Sequence, residues 1–503
     1  MKPSSVLQQY EDNLRQEVGH LAPRHSLAVL SELAGARGVR VYLVGGSVRE
    51  LALGRQPPDL DLAVSAQTLE LGRDLAAELK GTFVLLDEAE RTARVVWQGE
   101  VLDLAEFRAA TLEGDLKGRD FTINALALDL EAVLGRRPLA LIDPLGGLAD
   151  LSRGLIRVAA PENLGYDPLR LLRAYRFAAS HGFALTPETQ AAIRRYLPEF
   201  SRVAGERIHT ELFLLLASRR AGSVLQEMDR AGLLTRVFPE LQEAREVEQN
   251  GYHHLDVFHH LLETVVWLDE VLAAPEKYLG DLARELAAYA ASPPKAALLK
   301  FAALFHDVGK PQVRERRSQP ERYTFYYHEK VGLEILETTA RRLRLSSAEA
   351  KTIATLIRLH MRPFLLMPAF RQGELTWRAL GRLVRAARAE LPGLFALAMA
   401  DSLAGQGPQK PEDSEAVLAD LADEALRFLK ERLEPQERHP RLLSGHDLIR
   451  LGLKPGPKFR QILTAVEEAQ WEGAVRTRED ALRMAQGLVE ATQAGPAGGL
   501  TTG

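Results

Sequence analysis

Val39-Arg40-Val41-Tyr42-Leu43-Val44-Gly45-Gly46-Ser47-Val48-Arg49, with Asp59-Leu60-Asp61 after it, decides how the first part of this 503-residue chain is read. The apolar, β-branched run predicts a strand that ends at Gly45-Gly46, and the residues after it open a helix. Glycines at such a junction let phosphate groups approach the backbone. The helix N-terminus favours anions, and Arg49 stands where it can pair with them. Strand–Gly-Gly–helix turns are common, so the turn alone reads equally well as ordinary structure. The aspartates sharpen the reading. Alternate strand residues share a face, so the Asp59 and Asp61 carboxylates converge. Two close carboxylates repel unless a cation lies between them, and Mg²⁺ is the default oxygen-loving ion. A two-metal arrangement there would activate a hydroxyl and steady a triphosphate. A solvated Asp pair at a strand edge is the plainer alternative.

Outward from this stretch the spacing predicts strands at Leu60–Val64, Thr82–Leu86, Arg94–Trp97 and Val101–Leu104, with a helix at Thr68–Leu79. This is a small α/β head ending near Asp143-Pro144-Leu145-Gly146-Gly147. From Pro168 onward the pattern is helical, broken by a short hairpin around Arg322–Tyr327, so the fold class is α+β. The chain is too long for one core, and roughly two to four compact units are expected. Cysteine is absent, which excludes disulfides and thiolate metal sites and fits a cytoplasmic location. No apolar run approaches bilayer length, and Met1-Lys2-Pro3-Ser4 lacks a signal peptide's apolar core, so no membrane partner is expected. The net charge of −4 means that any nucleic-acid contact must come from local Arg and Lys clusters.

The run Leu43–Glu50, then Gly54, then Asp59-x-Asp61, resembles the first motif of the class II tRNA nucleotidyltransferase and bacterial poly(A) polymerase family, with Glu50 where an Asp is usual. Asp115-Leu116-Lys117-Gly118-Arg119-Asp120-Phe121-Thr122-Ile123-Asn124-Ala125-Leu126-Ala127 is similar to its second motif, with Gly118-Arg119 in place of an Arg-Arg pair. Asp143–Asp150 is similar to the third motif, a turn that reads equally as a hinge or as ordinary structure. Tyr166-Asp167-Pro168-Leu169-Arg170-Leu171-Leu172-Arg173-Ala174-Tyr175-Arg176-Phe177 resembles the fourth. By its residue types Asp167 is a helix N-cap and Pro168 a first helical residue, while Arg170, Arg173 and Arg176 share a flank that calls for anions. Glu206-Arg207-Ile208-His209-Thr210-Glu211-Leu212 is similar to the fifth motif, a support of the neck, and reads equally as a solvated helix start. Leu443–Leu448 and Gly452–Phe459 look like the family's C-terminal tail.

The resemblance implies a polymerase-β-like nucleotidyltransferase head, an all-α neck and a helical RNA-binding tail. It implies Asp59 and Asp61 as catalytic residues and Mg²⁺ ligands. Gly46, Arg49, Arg119, Asp167, Arg170, Arg173 and Arg176 would bind the nucleotide, with Asp167 and Arg170 reading the base. A cytosine offers an amino donor to a carboxylate and acceptors to a guanidinium. Lys454, Lys458 and Arg460 would contact tRNA phosphates, although a Gly/Pro-rich loop between helices explains that segment too.

Seven of the thirteen histidines fall between His253 and His360. His260, His306-Asp307, His328, His360 and Asp401 together suit a divalent transition metal or a mixed binuclear site. Phe305-His306-Asp307-Val308-Gly309-Lys310 is similar to the centre of the HD phosphohydrolase superfamily. That resemblance makes His260 the first ligand, with His259 as its alternative, and Asp401 the last. His328 and His360 would complete a second position, for a transition metal or Mg²⁺, and Gly309-Lys310 would help hold a phosphate. The implied activity is hydrolysis of a phosphomonoester or 2′,3′-cyclic phosphate at RNA ends.

Family members that add all of C, C and A carry a longer flexible loop after the segment matching Leu104-Ala105-Glu106-Phe107-Arg108. Here only Ala109-Ala110-Thr111 precede Leu112. In the family that deletion goes with enzymes that add two C residues from CTP and leave A to a separate A-adding enzyme. A full CCA-adding or A-adding enzyme is the alternative, since loop length varies freely. The expected domains are an N-terminal helical extension (1–24), head (25–145), neck and body (146–245), HD domain (246–410), RNA-binding tail (411–493) and a disordered end (494–503).

Overall fold

The computed structural model describes residues 3–318, 321–435 and 442–493; the expected disordered end at 494–503 lies outside them. Two compact units emerge. One comprises Met1–Leu215 with Glu227–Val237, the other Leu216–Gln226 with the chain from Phe238 onward.

The first unit is built on a seven-stranded sheet in the order β3-β4-β5-β2-β1-β6-β7. Its strands are β1 (Val41–Val44), β2 (Leu60–Val64), β3 (Thr82–Asp87), β4 (Thr92–Trp97), β5 (Glu100–Glu106), β6 (Ala127–Asp129) and β7 (Leu141–Ile142). The first five fall where the alternation placed them. β6 and β7, of three and two residues, are too short to show a period. β1 runs antiparallel to β2, and β2 parallel to β5, so Asp61 on β2 faces Asp103 on β5 in register. Asp59 lies in the bend just before β2 rather than on the strand.

Four helices brace this sheet: α1 (Pro3–Leu21), α2 (His25–Ala36), α3 (Gly45–Ala52) and α4 (Thr68–Leu79). α4 buries Leu71, Leu75 and Leu79, the i, i+4, i+8 face of an amphipathic helix. α1 is tied to α3 through the Asn13 amide, which donates to the Ala52 carbonyl. Helix Leu169–His181 follows Asp167, whose carboxylate accepts from the Leu169 amide as an N-cap does.

The second unit is helical apart from the hairpin Glu315–Ser318 with Glu321–Thr324. The hairpin expected around Arg322–Tyr327 is present, but its return strand stops at Thr324, and Tyr327, at φ +67°, turns the chain into helix His328–Arg342. Helices Val257–Ala273, Pro293–Phe305 and Leu391–Ala404 form its centre, the last almost wholly buried. A smaller apolar cluster from Leu443 to Val489 makes the tail's own core. Among the described residues no helix is long and apolar enough to cross a membrane.

Candidate functional site

In the first unit β1 delivers its chain end into α3 at Gly45, where φ is +64°. A Cβ there would stand 2.8 Å from the Arg119 guanidinium, and one on Gly46 would stand 3.0 Å from the Asp61 carboxylate. Side-chain-free backbone at this turn is therefore what lets an arginine and an aspartate crowd the helix entrance. Ser47 holds the aspartate segment: its hydroxyl accepts from the Asp61 amide at 2.7 Å and donates to the Asp59 carbonyl at 3.2 Å.

A cavity of about 490 Å³ opens there, lined by Gly46, Arg49, Asp61, Asp103, Arg119, Arg170, Arg173 and Arg176 among others. Seven residues of the expected transferase site thus gather around one space; Asp59 and Asp167 are not among its lining. Asp61 is raised above the ordinary carboxylate range, first by burial and also by the facing Asp103, while Arg119 opposes the shift. Asp103 is bound at two points by Arg94 from β4, at 2.7 and 2.8 Å. The same guanidinium comes within 4.0 Å of the Asp59 carboxylate. Acidic groups facing one another, one of them buried enough to resist ionisation, form a donor set that fits Mg²⁺. Asp103 and Arg94 were not singled out from the sequence. The signal for Asp103 was an acid between apolar residues of the expected strand Val101–Leu104.

The arginines meet protein anions. Arg49 is buried, pairs with Glu50 at 2.9 Å and donates to Asn124. Arg119 pairs with Asp115 at 3.2 Å. Arg173 reaches Asp120 at 3.2 Å and Glu211 at 3.4 Å, and Arg176 reaches Glu211 at 2.7 Å. Burial pushes Asp120 upward, but Arg173 and Asn124 outweigh it and hold the carboxyl below its usual range. The anions demanded by Arg173 and Arg176 are thus internal, which fixes those guanidinium planes at the cavity wall.

In the second unit the expected metal ligands converge. The Nδ1 atoms of His306, His328 and His360 each face the backbone carbonyl three residues earlier (Ala303, Phe325, Ile357) at 2.7–2.8 Å. That leaves Nε2 of each ring to point inward with its lone pair. His306 Nε2 lies 3.2 Å from Asp307 Oδ2 and 3.8 Å from Asp401 Oδ1, and His260 Nε2 lies 3.0 Å from Asp401 Oδ1. On the other side, Asp307 Oδ1 lies 3.2 Å from His328 Nε2 and 3.5 Å from His360 Nε2. Metal–ligand bonds of about 2.0–2.2 Å put two ligands of one ion roughly 3–4 Å apart. The donor set therefore fits two divalent ions bridged by Asp307.

His260 is the inward residue of its pair; His259 is exposed and bonded to Asp256. Lys310, expected to hold a phosphate, is buried against Asp307 at 2.5 Å. Burial pushes Asp307 upward, but Lys310 and His306 outweigh it and hold the carboxyl well below the usual range. A cavity of about 1130 Å³ adjoins Asp307, His328 and Asp401 and is walled by Arg316, Arg322, Tyr323 and Tyr326 among others. His253, not singled out from the sequence, stands beside His260 with ring centroids 4.5 Å apart and is pushed down to about 2 by burial and Lys310. In the tail, Lys454 and Lys458 with Arg460 are exposed on one loop and the first turns of helix Pro457–Trp471.

Comparison with known proteins agrees with this layout. Residues 41–113 and 108–157 match the poly A polymerase head domain family. Residues 182–245 match the family described as a probable RNA and SrmB-binding site of polymerase A, and 276–426 match the HD domain family. An A-adding tRNA nucleotidyltransferase of Deinococcus radiodurans is 36% identical over 456 residues, 90% of this chain and 96% of that protein. A CC-adding tRNA nucleotidyltransferase of Thermus thermophilus is 35% identical over 452 residues, 88% of this chain and 92% of that protein. In fold, the chain is similar to a Thermotoga maritima CCA-adding enzyme complexed with tRNA, with a TM-score of 0.58 and 22% identity over 92% of this chain and 94% of that one. Identity that runs through head, neck and HD region alike makes this chain a member of the tRNA nucleotidyltransferase family, an enzyme that transfers nucleotides to tRNA.

Proposed function

We propose that this enzyme adds two cytidylates from CTP to the tRNA 3′ end and stops, leaving the terminal A to a separate A-adding enzyme. The observation that carries the reading is the segment between β5 and helix Leu112–Lys117. The Arg108 amide donates to Asp115 at 3.1 Å, Thr111 caps the helix through the Gly114 amide, and Gly114 has no room for a Cβ against Ala109. A connection this short and this tied has no slack with which to reshape the cavity for a second kind of base.

Asp59 and Asp61, with Asp103 opposite, hold the reacting end. Mg²⁺ bound there supplies the charge that makes the primer hydroxyl a nucleophile and neutralises the triphosphate. Gly46, Arg49 and Arg119 align the triphosphate so that the 3′ oxygen attacks the α-phosphorus and pyrophosphate leaves. Arg173 and Arg176, braced by Asp120 and Glu211, keep the cavity wall positive. Asp167 takes the cytosine amino group and Arg170 its acceptors. Lys454, Lys458 and Arg460 hold tRNA phosphates, and the work belongs to the cytoplasm. The test uses tRNA transcripts ending at the discriminator base, at C or at CC, each supplied with CTP or ATP. Extension of the first two by CTP and inertness of the CC-ending tRNA toward ATP are expected. Efficient A addition to that last substrate sinks the reading in favour of an A-adding or CCA-adding enzyme.

A second activity is favoured by the converging imidazoles of the HD region: hydrolysis of a phosphomonoester or 2′,3′-cyclic phosphate at an RNA end. Asp307 and His328 face a cavity whose wall carries arginines and tyrosines, groups suited to phosphates and bases. Release of phosphate from a 3′-phosphorylated RNA by metal-loaded enzyme, lost in Asp307→Asn, is the check.

A further inference from the structure

We propose that His253 is a fifth protein ligand of the ion held by His260, His306, Asp307 and Asp401, making that ion the firmly bound one of the HD pair. This rests on the reading of the HD region as a metal centre. His253, His260 and Asp401 each bring one ligand atom to within 4.8 Å of the others, contiguous with the group His260, His306 and Asp307. The Nδ1 atom of His253 is buried and has no hydrogen-bond partner. A buried polar nitrogen left unpaired is costly unless a ligand meets that atom.

The position is built. The Gly407 amide donates to the Tyr252 carbonyl at 2.8 Å, and the Gln409 amide to the Gly251 carbonyl at 2.9 Å. A Cβ on Gly407 would fall 2.3 Å from the Gly251 carbonyl oxygen, so only glycine lets the two segments close. The segment after helix Leu391–Ala404, which carries Asp401, thereby fixes the loop that presents His253. Lys310 secures the loop's other end through Gln249 at 2.7 Å.

Five protein ligands leave little room for exchange at the first ion. The second position has three (Asp307, His328, His360), so more of its coordination sphere is left for water and phosphate.

The test titrates chelator-stripped full-length protein with Ni²⁺ by calorimetry. Two steps are expected in the wild type. His253→Ala and His253→Asn weaken the tight step by about tenfold or more and leave the weak step unchanged, whereas His254→Ala alters neither. Circular dichroism of the stripped proteins follows folding. X-ray absorption of wild type holding one equivalent of Ni²⁺ counts imidazoles without any substitution: three are expected, and two overturn the proposal. An unchanged tight step in both His253 variants overturns it as well. A wild type that takes up no Ni²⁺ at all refutes instead the metal reading of the HD region.

Discussion

Arg207 grips Asp167 at two points, Nη1 on Oδ1 at 3.2 Å and Nη2 on Oδ2 at 2.9 Å. Arg170 turns elsewhere, donating to the Gly118 and Asn163 carbonyls at 3.0 and 3.3 Å. The two proposed base readers are thus held separately, and the carboxylate is oriented by a residue from the fifth motif. Arg207→Ala should lower kcat/KM for CTP by about tenfold, chiefly through KM, and narrow the CTP-to-ATP preference. Arg207→Lys keeps the charge but loses the fork, so it should fall between. Steady-state rates on tRNA ending at the discriminator base decide; an unchanged nucleotide preference in Arg207→Ala removes its orienting role.

Asp103 faces Asp61 across the parallel β2–β5 pair and carries the Arg94 clamp. If both acids bind the same ions, Asp103→Asn should cost nearly as much as Asp61→Asn, at least about a hundredfold in nucleotide incorporation. Raising Mg²⁺ should recover part of the Asp103→Asn loss and none of the Asp61→Asn loss. Incorporation within threefold of wild type in Asp103→Asn would make it a structural partner of Arg94 alone.

The strand–Gly-Gly–helix turn, five of the seven strands and helix Thr68–Leu79 were legible because period and punctuation are local. So were the metal-type residues of the HD region. What was not legible is pairing. The sequence shows Asp103 only as an acid between apolar residues; parallel register with β2 gives it a partner. His253 precedes its helix in a loop with no period, and its position depends on Gly407, far along the chain. The arginines of the fourth motif announce a need for anions, but Glu211 as the shared partner of Arg173 and Arg176 appears only once the helices pack.

Glu50 gives a pH signature. Its carboxyl is pushed down to about 2: burial opposes the shift, and hydrogen bonding to His181 and the charge of Arg49 outweigh it. A depressed carboxyl contributes stability above its unfolded value near 4.5 and loses it as pH falls toward 2. Glu50→Gln should therefore destabilise the head by up to about 3 kcal/mol at pH 7, and the difference should shrink between pH 4.5 and 2. Denaturant melts of both proteins across that range measure it; a difference that grows on acidification contradicts the assignment.

Gly45 combines positive φ with the Arg119 approach at 2.8 Å. Gly45→Ala adds strain of about 1 kcal/mol or more and must displace the arginine. Activity should fall further than stability: a drop of about tenfold or more in kcat/KM, with a thermal midpoint lowered by only a few degrees. Gly38, also at positive φ but with nothing near its missing Cβ, is the control, and Gly38→Ala should touch stability alone.

Asp307 stands between the two proposed ion positions and against Lys310. Asp307→Asn keeps the shape but removes the bridging charge. Both ions should be lost from the HD region, and Lys310, buried and with no other carboxylate partner among the described residues, is left uncompensated. Breaking a buried pair from one side costs about 3 kcal/mol, so the second unit should melt earlier even without metal. Nucleotide addition uses none of these atoms and should stay within about twofold of wild type. Metal content, the melting profile and CTP incorporation are read on one preparation. Loss of incorporation in step with loss of HD metal, at a temperature where the protein remains folded, would mean that the HD ions serve the transfer itself, and the two sites would have to be treated as one.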